Sequence, residues 1–218
     1  MRIHLTINAG KSIIPFDHQP LLTGTIHKWL GWNKEHGRVS LYSFSRLQGG
    51  KAKPMGLQFE KEACFFFSSY QADLIKRMVT GIQNDPAMFN GLTVSEIIIQ
   101  EDPDFSGRNL FFSASPIFIK RKLEERVDHI LFNDPRANAC LKETLQTKMI
   151  EAGITDDSLE IGFESSYPKS GTKNITYNGV QNRASWCPVI IEGNPETKLF
   201  AWNVGLGNST GIGFGAIK

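Results

Sequence analysis

The order in which two hydrophobic periodicities alternate along the 218 residues restricts the fold most, because that order runs twice. Residues 2–8 (Arg2-Ile3-His4-Leu5-Thr6-Ile7-Asn8) alternate apolar and polar side chains with the period of two expected of a strand. Residues 19–32 place Leu22, Ile26, Trp29 and Leu30 on one stripe of a helix. Strand-like stretches follow at 39–46 and 56–68, separated by the turn-rich, basic connection Gln48-Gly49-Gly50-Lys51-Ala52-Lys53-Pro54. A second helix over 70–83 carries Leu74, Ile75, Met78, Val79 and Ile82 on one face, and Leu92 to Ile99 reads as a strand.

The pattern then restarts. Asn109 to Ile119 reads as a strand, followed by the charged link Lys120-Arg121-Lys122-Leu123-Glu124-Glu125-Arg126. A helix is punctuated by Asp134 as N-cap, Pro135 at its first position and Gly153 past its end. Strands are expected near 158–164 and within 172–192, with Asn178-Gly179 as a tight turn. A short helix opens at Asn194-Pro195 and stops at Gly205, and a last strand lies near 213–217. Two successive β-α-β-β-α-β units predict an α+β chain of two tandem ferredoxin-like (RRM-like) domains, 1–104 and 105–218.

No apolar run approaches the roughly 20 residues that span a bilayer, and the opening strand lacks the apolar block of a leader, so a cytoplasmic chain is expected. Cys64, Cys140 and Cys187 form no CxxC pair, which leaves no structural zinc site or disulfide framework and predicts three small core residues. The formal net charge of +2 hides an asymmetry: residues 1–60 hold eight Lys/Arg against three acids, an excess of +5, and the remainder carries −3. Such a basic field draws polyanions, although scattered solvated lysines would give the same count.

The segment Gly205-Leu206-Gly207-Asn208-Ser209-Thr210-Gly211-Ile212-Gly213-Phe214-Gly215 is the most unusual. A P-loop needs a lysine after its last glycine, and none is present. A dinucleotide fingerprint runs from strand to helix, whereas this segment runs from helix to strand. Two readings remain: a loop presenting backbone N–H groups to phosphate, or a packed turn whose glycines serve only backbone geometry.

This arrangement, Gly-apolar-Gly, five residues, then Gly-aromatic-Gly before a final strand, resembles the C-terminal signature of CRISPR repeat-processing endoribonucleases. These form the sixth Cas family, within the repeat-associated mysterious protein superfamily. Ile14-Pro15-Phe16-Asp17-His18-Gln19-Pro20-Leu21-Leu22, Gly24-Thr25-Ile26-His27-Lys28-Trp29-Leu30 and Leu41-Tyr42-Ser43-Phe44-Ser45-Arg46-Leu47 resemble the family's first-strand-to-helix region and second strand. The resemblance implies metal-independent cleavage of precursor CRISPR RNA by the substrate's own 2′-hydroxyl, leaving a 2′,3′-cyclic phosphate and a 5′-hydroxyl, with no cofactor. Its partners would be CRISPR repeat RNA, precursor and mature guide. Proteins of an interference complex and a second copy of the chain are further partners of the kind the family admits; a membrane is not.

Such a reaction needs a base, an acid, positive charge at the phosphorane and in-line alignment. Imidazole suits both proton roles. His4 and His129 read as structural or solvated, and His18 as a brace for the first helix. His27 lies about 110° from the centre of the apolar stripe, and His36 follows in the polar loop Asn33-Lys34-Glu35-His36-Gly37-Arg38. The resemblance pairs a proton-transferring residue on the first helix, here His27, with a histidine in the loop after it, here His36. Where the family usually has a basic residue at the next strand this chain has Ser40, so Lys34 or Arg38 would fill that role. RNA contacts are expected from Arg38, Arg46, Lys51, Lys53, Lys120, Arg121 and Lys122, and from the backbone of Gly205, Gly207, Gly211, Gly213 and Gly215. Other readings of the same residues are a repeat-binding protein that does not cut, and a small-anion-binding protein on a double ferredoxin-like fold.

Overall fold

The computed structural model describes residues 1–31, 39–124 and 126–218. The first half runs β1 (Arg2–Asn8), β2 (Ile13–Ile14), α1 (Gln19–Leu30), β3 (Tyr42–Phe44), β4 (Lys51–Lys53), β5 (Gly56–Gln58), β6 (Glu62–Ser69), α2 (Ala72–Asn84) and β7 (Thr93–Gln100). Its main sheet is antiparallel with the order β3-β6-β1-β7, and a small sheet, β2-β5-β4, is appended. The period of two puts Ile3, Leu5 and Ile7 on one face of β1, where they meet Leu22, Ile26 and Trp29 of α1 and Leu74, Ile75, Met78 and Ile82 of α2. Burying each such side chain contributes about 1.5–3 kcal/mol. The helices approach closely where Gly81 faces Trp29, since a Cβ at Gly81 would run into the Trp29 backbone.

The second half runs β8 (Leu110–Phe111), β9 (Ile119–Leu123), β10 (Arg126–Ile130), α3 (Ala137–Glu151), β11 (Glu160–Phe163), β12 (Gly171–Tyr177), β13 (Val180–Trp186), β14 (Val189–Glu192) and α4 (Pro195–Val204). The sheet β11-β14-β8 is extended by residues 216–218, which pair with 112–114 through Phe112 N–Lys218 O at 2.9 Å and Ala114 N–Ala216 O at 2.7 Å. Strand order therefore repeats that of the first half, and the chain is two tandem ferredoxin-like units. The hairpins β9-β10 and β12-β13 are insertions into the second.

Several local expectations need correction. Residues 120–126 are not a link: Ile119 to Ile130 form a two-stranded hairpin that pairs Arg121 with Asp128. The stretch 56–68 is two strands, and Lys51–Lys53 pairs with Gly56–Gln58 instead of only connecting. Asp134 does not cap α3, which begins two residues later with Arg136 at its N-cap; the Asp134 carboxylate instead accepts from the Arg136 N–H at 2.8 Å. Of the cysteines only Cys187 is buried, because Cys64 occupies the outward position of β6 between buried Ala63 and Phe65. The expected strand at 213–217 reduces to its last residues. The Asn178-Gly179 turn and the helix opening at Asn194-Pro195 are as expected, with φ of 48° and 78° at the turn.

The halves meet across Arg2. Its guanidinium is buried, donates to Ser68 Oγ at 2.6 Å and to the carbonyls of Trp202 (2.9 Å) and Ile217 (2.8 Å), and lies over the rings of Phe66 and Trp202 at 3.7 and 3.4 Å. Burial lowers its pKa well below the usual arginine value. One of the eight cations in the basic N-terminal quarter is thus a fastener between the two sheets, withdrawn from any surface field.

Candidate nucleic-acid interface

The glycine-rich segment is mostly packed. Gly205, Gly207, Gly211, Gly213 and Gly215 are buried, and the N–H groups of Gly205, Leu206, Asn208, Ile212, Gly213 and Gly215 are taken by the carbonyls of Ala201, Gly215, Phe118, Ser209, Thr210 and Pro116. Gly215 has φ of 72°, and a Cβ there would strike the Leu206 carbonyl. Gly205, Gly213 and Gly215 therefore spend their N–H groups inside the loop, whereas the N–H of Gly207 meets no acceptor among the described residues and Gly207 lines the cleft described below. Asn208, Ser209 and Ile212 reach its surface, and the amides of Ser209, Thr210 and Gly211 donate to no described residue. Ser209 is left-handed (φ 62°) and opens a 3-10 turn, Thr210–Ile212, so these amides are consecutive donors at the tip.

The first half holds this tip in place. The Gln19 amide donates to Ile212 O at 2.9 Å and Thr23 Oγ1 to the same carbonyl at 3.4 Å. Buried Tyr42, on β3, lies with its hydroxyl 3.3 Å from His27 Nε2 and 3.4 Å from the Gly211 carbonyl. One phenol proton serves one acceptor; given to Gly211, it leaves the phenol oxygen to accept from a His27 Nε2–H. His27, half-buried near the end of α1, is thereby linked to the loop through a single side chain.

A cleft of about 810 Å³ opens beside the tip, lined by Val39, Ser40, Lys120, Arg121, Glu143, Thr144, Thr147, Lys148, Glu151 and residues 207–210. Lys120 is exposed and its N–H donates to Asn208 Oδ1 at 2.9 Å. Arg121 turns toward α3, where Glu143 Oε2 takes its guanidinium at 2.6 Å. Lys122, next along β9, is exposed and does not line the cleft.

The remaining expected residues divide. Lys34, His36 and Arg38 lie outside the described residues. Arg46 lines a second cleft, of about 480 Å³, together with Gly49, Gly50, Lys173, Trp186 and Lys218. Burial lowers its pKa, and no carboxylate pairs with it among the described residues. Lys51 is exposed and bound to Glu60 at 2.8 Å, and Lys53 is exposed. His18 braces α1 as expected: Nδ1 is 2.8 Å from Pro15 O, the ring stacks on Phe89, and burial lowers its pKa. His4 and His129 make local contacts, to Gln100 at 2.7 Å and to the Arg183 N–H at 3.3 Å.

Sequence reasoning missed Tyr42 and Lys148 as members of the site. Tyr42 alternates with Leu41 and Ser43 in an otherwise core-like strand, so nothing in the pattern distinguishes its hydroxyl. Lys148 stands beside Leu145 and Met149 on the apolar face of α3, and a lysine there is the available signal. Among the described residues, no helix is long and apolar enough to cross a membrane.

Known proteins share this architecture. The structure superposes on that of a CRISPR associated protein Cas6 with a TM-score of 0.85 at 21% identity, covering 100% of this chain and 98% of that one. The product of a Cas6-related gene from Pyrococcus furiosus gives 0.85 at 20% identity, covering 100% and 97%. A RAMP protein described as binding different RNA substrates gives 0.84 at 20%, covering 100% and 98%. No curated protein matches the chain in sequence. These likenesses establish the fold. Residues 100–218, more than half of the chain and including the whole glycine-rich segment, match the family model for the CRISPR associated protein Cas6, C-terminal. The chain belongs to the Cas6 family of CRISPR repeat-processing proteins.

Proposed function

We propose that the chain is an endoribonuclease that cuts CRISPR repeat RNA in precursor transcripts without a metal, by 2′-hydroxyl attack, releasing a 2′,3′-cyclic phosphate and a 5′-hydroxyl. The observation that carries this reading is the meeting of His27, Tyr42 and the Gly211 carbonyl beside a cleft lined by two cations of β9. His36 is three residues from Val39 on the cleft wall, a tether of about 10 Å at full stretch. In this reading His36 and His27 exchange the protons, Lys34 or Arg38 supplies charge to the phosphorane, and Lys120 with the loop tip holds the strand. Residues 1–104 then carry the proton chemistry, and 105–218 the loop that secures the RNA. Arg46 in the second cleft, with the lysines of the β4-β5 hairpin, would hold a more distant part of the strand through its phosphates.

Labelled repeat RNA incubated with the protein in EDTA tests the reading, with the product ends identified chemically. The expected products carry a cyclic phosphate and a 5′-hydroxyl, and His36→Ala slows cutting by about 10²–10⁴-fold while RNA affinity stays within a few fold. Cutting by His36→Ala at the wild-type rate would overturn the assignment of His36. Binding of the wild-type protein without product would favour a repeat-binding member of the family that does not cut.

A further inference from the structure

Beneath the glycine-rich loop lies a charge that the cleavage chemistry does not use. Lys148, on the inward face of α3, is 4% exposed. Its ammonium donates to Val204 O at 3.2 Å, Gly205 O at 2.9 Å and Thr210 Oγ1 at 3.3 Å. The two carbonyls belong to the end of α4, where a helix leaves acceptors unsatisfied and its dipole is negative. The hydroxyl belongs to the loop tip. Three donors of one side chain therefore tie the start of the loop to its tip.

All three acceptors are neutral, and no carboxylate pairs with Lys148 among the described residues. Glu143 and Glu151 of α3 line the same cleft, but Glu143 is held by Arg121. From β9 the facing groups are Lys120 and Arg121, and from α1 His27 approaches through Tyr42. Lys198 of α4 points elsewhere, to Phe105 O and Asn109 Oδ1. Burial in this uncompensated setting pulls the Lys148 pKa from 10.5 down to about 7. Its proton is thus held loosely, and an anion placed at the tip would hold it more firmly.

We propose that Lys148 is the positioning residue of the glycine-rich loop and the buried counter-charge to an RNA phosphate at its tip, so that RNA binding is accompanied by proton uptake. The proposal rests on the RNA reading above. The sign follows from linkage. A bound phosphate favours the ammonium and raises its pKa, so protons are taken up between the free and bound values. Affinity is then highest on the acid side and falls as pH rises through that window, by up to about tenfold per pH unit for one proton. A phosphate raises the pKa of a nearby imidazole too, so the difference between wild type and Lys148→Met is what assigns the proton to Lys148.

The test measures Kd for a labelled RNA of the CRISPR repeat from the same genome, at constant ionic strength between about pH 7.5 and pH 9. Wild-type protein is compared with Lys148→Met, and calorimetry of the wild type in two buffers of different ionisation enthalpy counts the protons. The wild-type Kd is expected to rise several-fold per pH unit with net proton uptake. Lys148→Met is expected to bind about tenfold more weakly at the acid end and to show a flat profile. A flat wild-type profile with no uptake overturns the proposal, and so does an unchanged profile in Lys148→Met. Should that variant not fold, Lys148→Arg, which stays charged across this pH range, takes its place: a flat profile is expected, and an unchanged pH dependence overturns the proposal. Should the wild type bind no repeat RNA, it is the reading under Proposed function that falls. Amide exchange of residues 205–213 in the free protein then judges the positioning role, which loss of protection in Lys148→Met, or in the wild type as Lys148 deprotonates, supports and unchanged protection overturns.

Discussion

At the residue scale, the site turns on groups whose partners are far away in sequence. Tyr42 touches His27 fifteen residues back and Gly211 169 residues on. Removing its hydroxyl with Tyr42→Phe leaves the ring packed on Phe67, 5.4 Å away, and takes away the polar bridge. Single-turnover cleavage should slow by about fivefold, the rate equivalent of one neutral hydrogen bond of ~1 kcal/mol, while RNA affinity changes little. An unchanged rate would mean that the bridge plays no part in holding His27. Local periodicity set His27 at the edge of a helical stripe, where it is half-buried, and the family resemblance supplied its candidate role. It could not expose Tyr42 or Lys148, whose significance depends on which distant carbonyls the fold carries to them. The same limit explains Arg2, which counts as a surface cation on composition and becomes a buried one only when Trp202 and Ile217 arrive.

At the element scale, the glycine-rich segment separates two roles that its composition merges. Gly205, Gly211, Gly213 and Gly215 permit close approaches, while residues 207–210 line the cleft. Gly215→Ala would force a Cβ against the Leu206 carbonyl at a positive φ, a strain of about 1–3 kcal/mol. The expected outcome is a lower melting temperature and weaker RNA binding together, measured by calorimetric melting and by titration. Weaker binding with unchanged stability would instead mean that Gly215 touches RNA directly. Both β-α-β-β-α-β runs were legible because their strands and helices carry strong periods. The β9-β10 hairpin was not, because Lys120-Arg121-Lys122 pairs with Val127-Asp128-His129 through the backbone, and no apolar alternation announces it. The cap of α3 was misplaced for a related reason: Asp134 satisfies an N–H of a preceding turn, and the same carboxylate also binds the Arg136 guanidinium at 2.8 Å.

At the scale of the whole molecule, the two halves have separate apolar cores joined by a polar fastener. One core gathers residues from Ile3 to Val94, the other residues from Phe105 to Ile217 with Leu41. Arg2→Met would fill much of the same space while abandoning the Ser68 hydroxyl and two buried carbonyls. It should cost about 3 kcal/mol, seen as an earlier denaturation midpoint. A midpoint within error of wild type would show that the stacked rings alone hold the junction. The doubled fold was readable from one sequence, whereas the geometry of the junction was not, since it is made by residues some 200 positions apart.

That junction also governs when the glycine-rich loop is assembled. The tip is braced by Gln19 and Thr23 from one half and by Lys148 from the other, so neither half alone can assemble it. Under the proposed function, a strand of RNA resting there would act as an external clasp: it would report that both units have folded and docked, and its binding free energy would be shared by both against unfolding. A chain caught halfway through folding would offer the transcript nothing to grip.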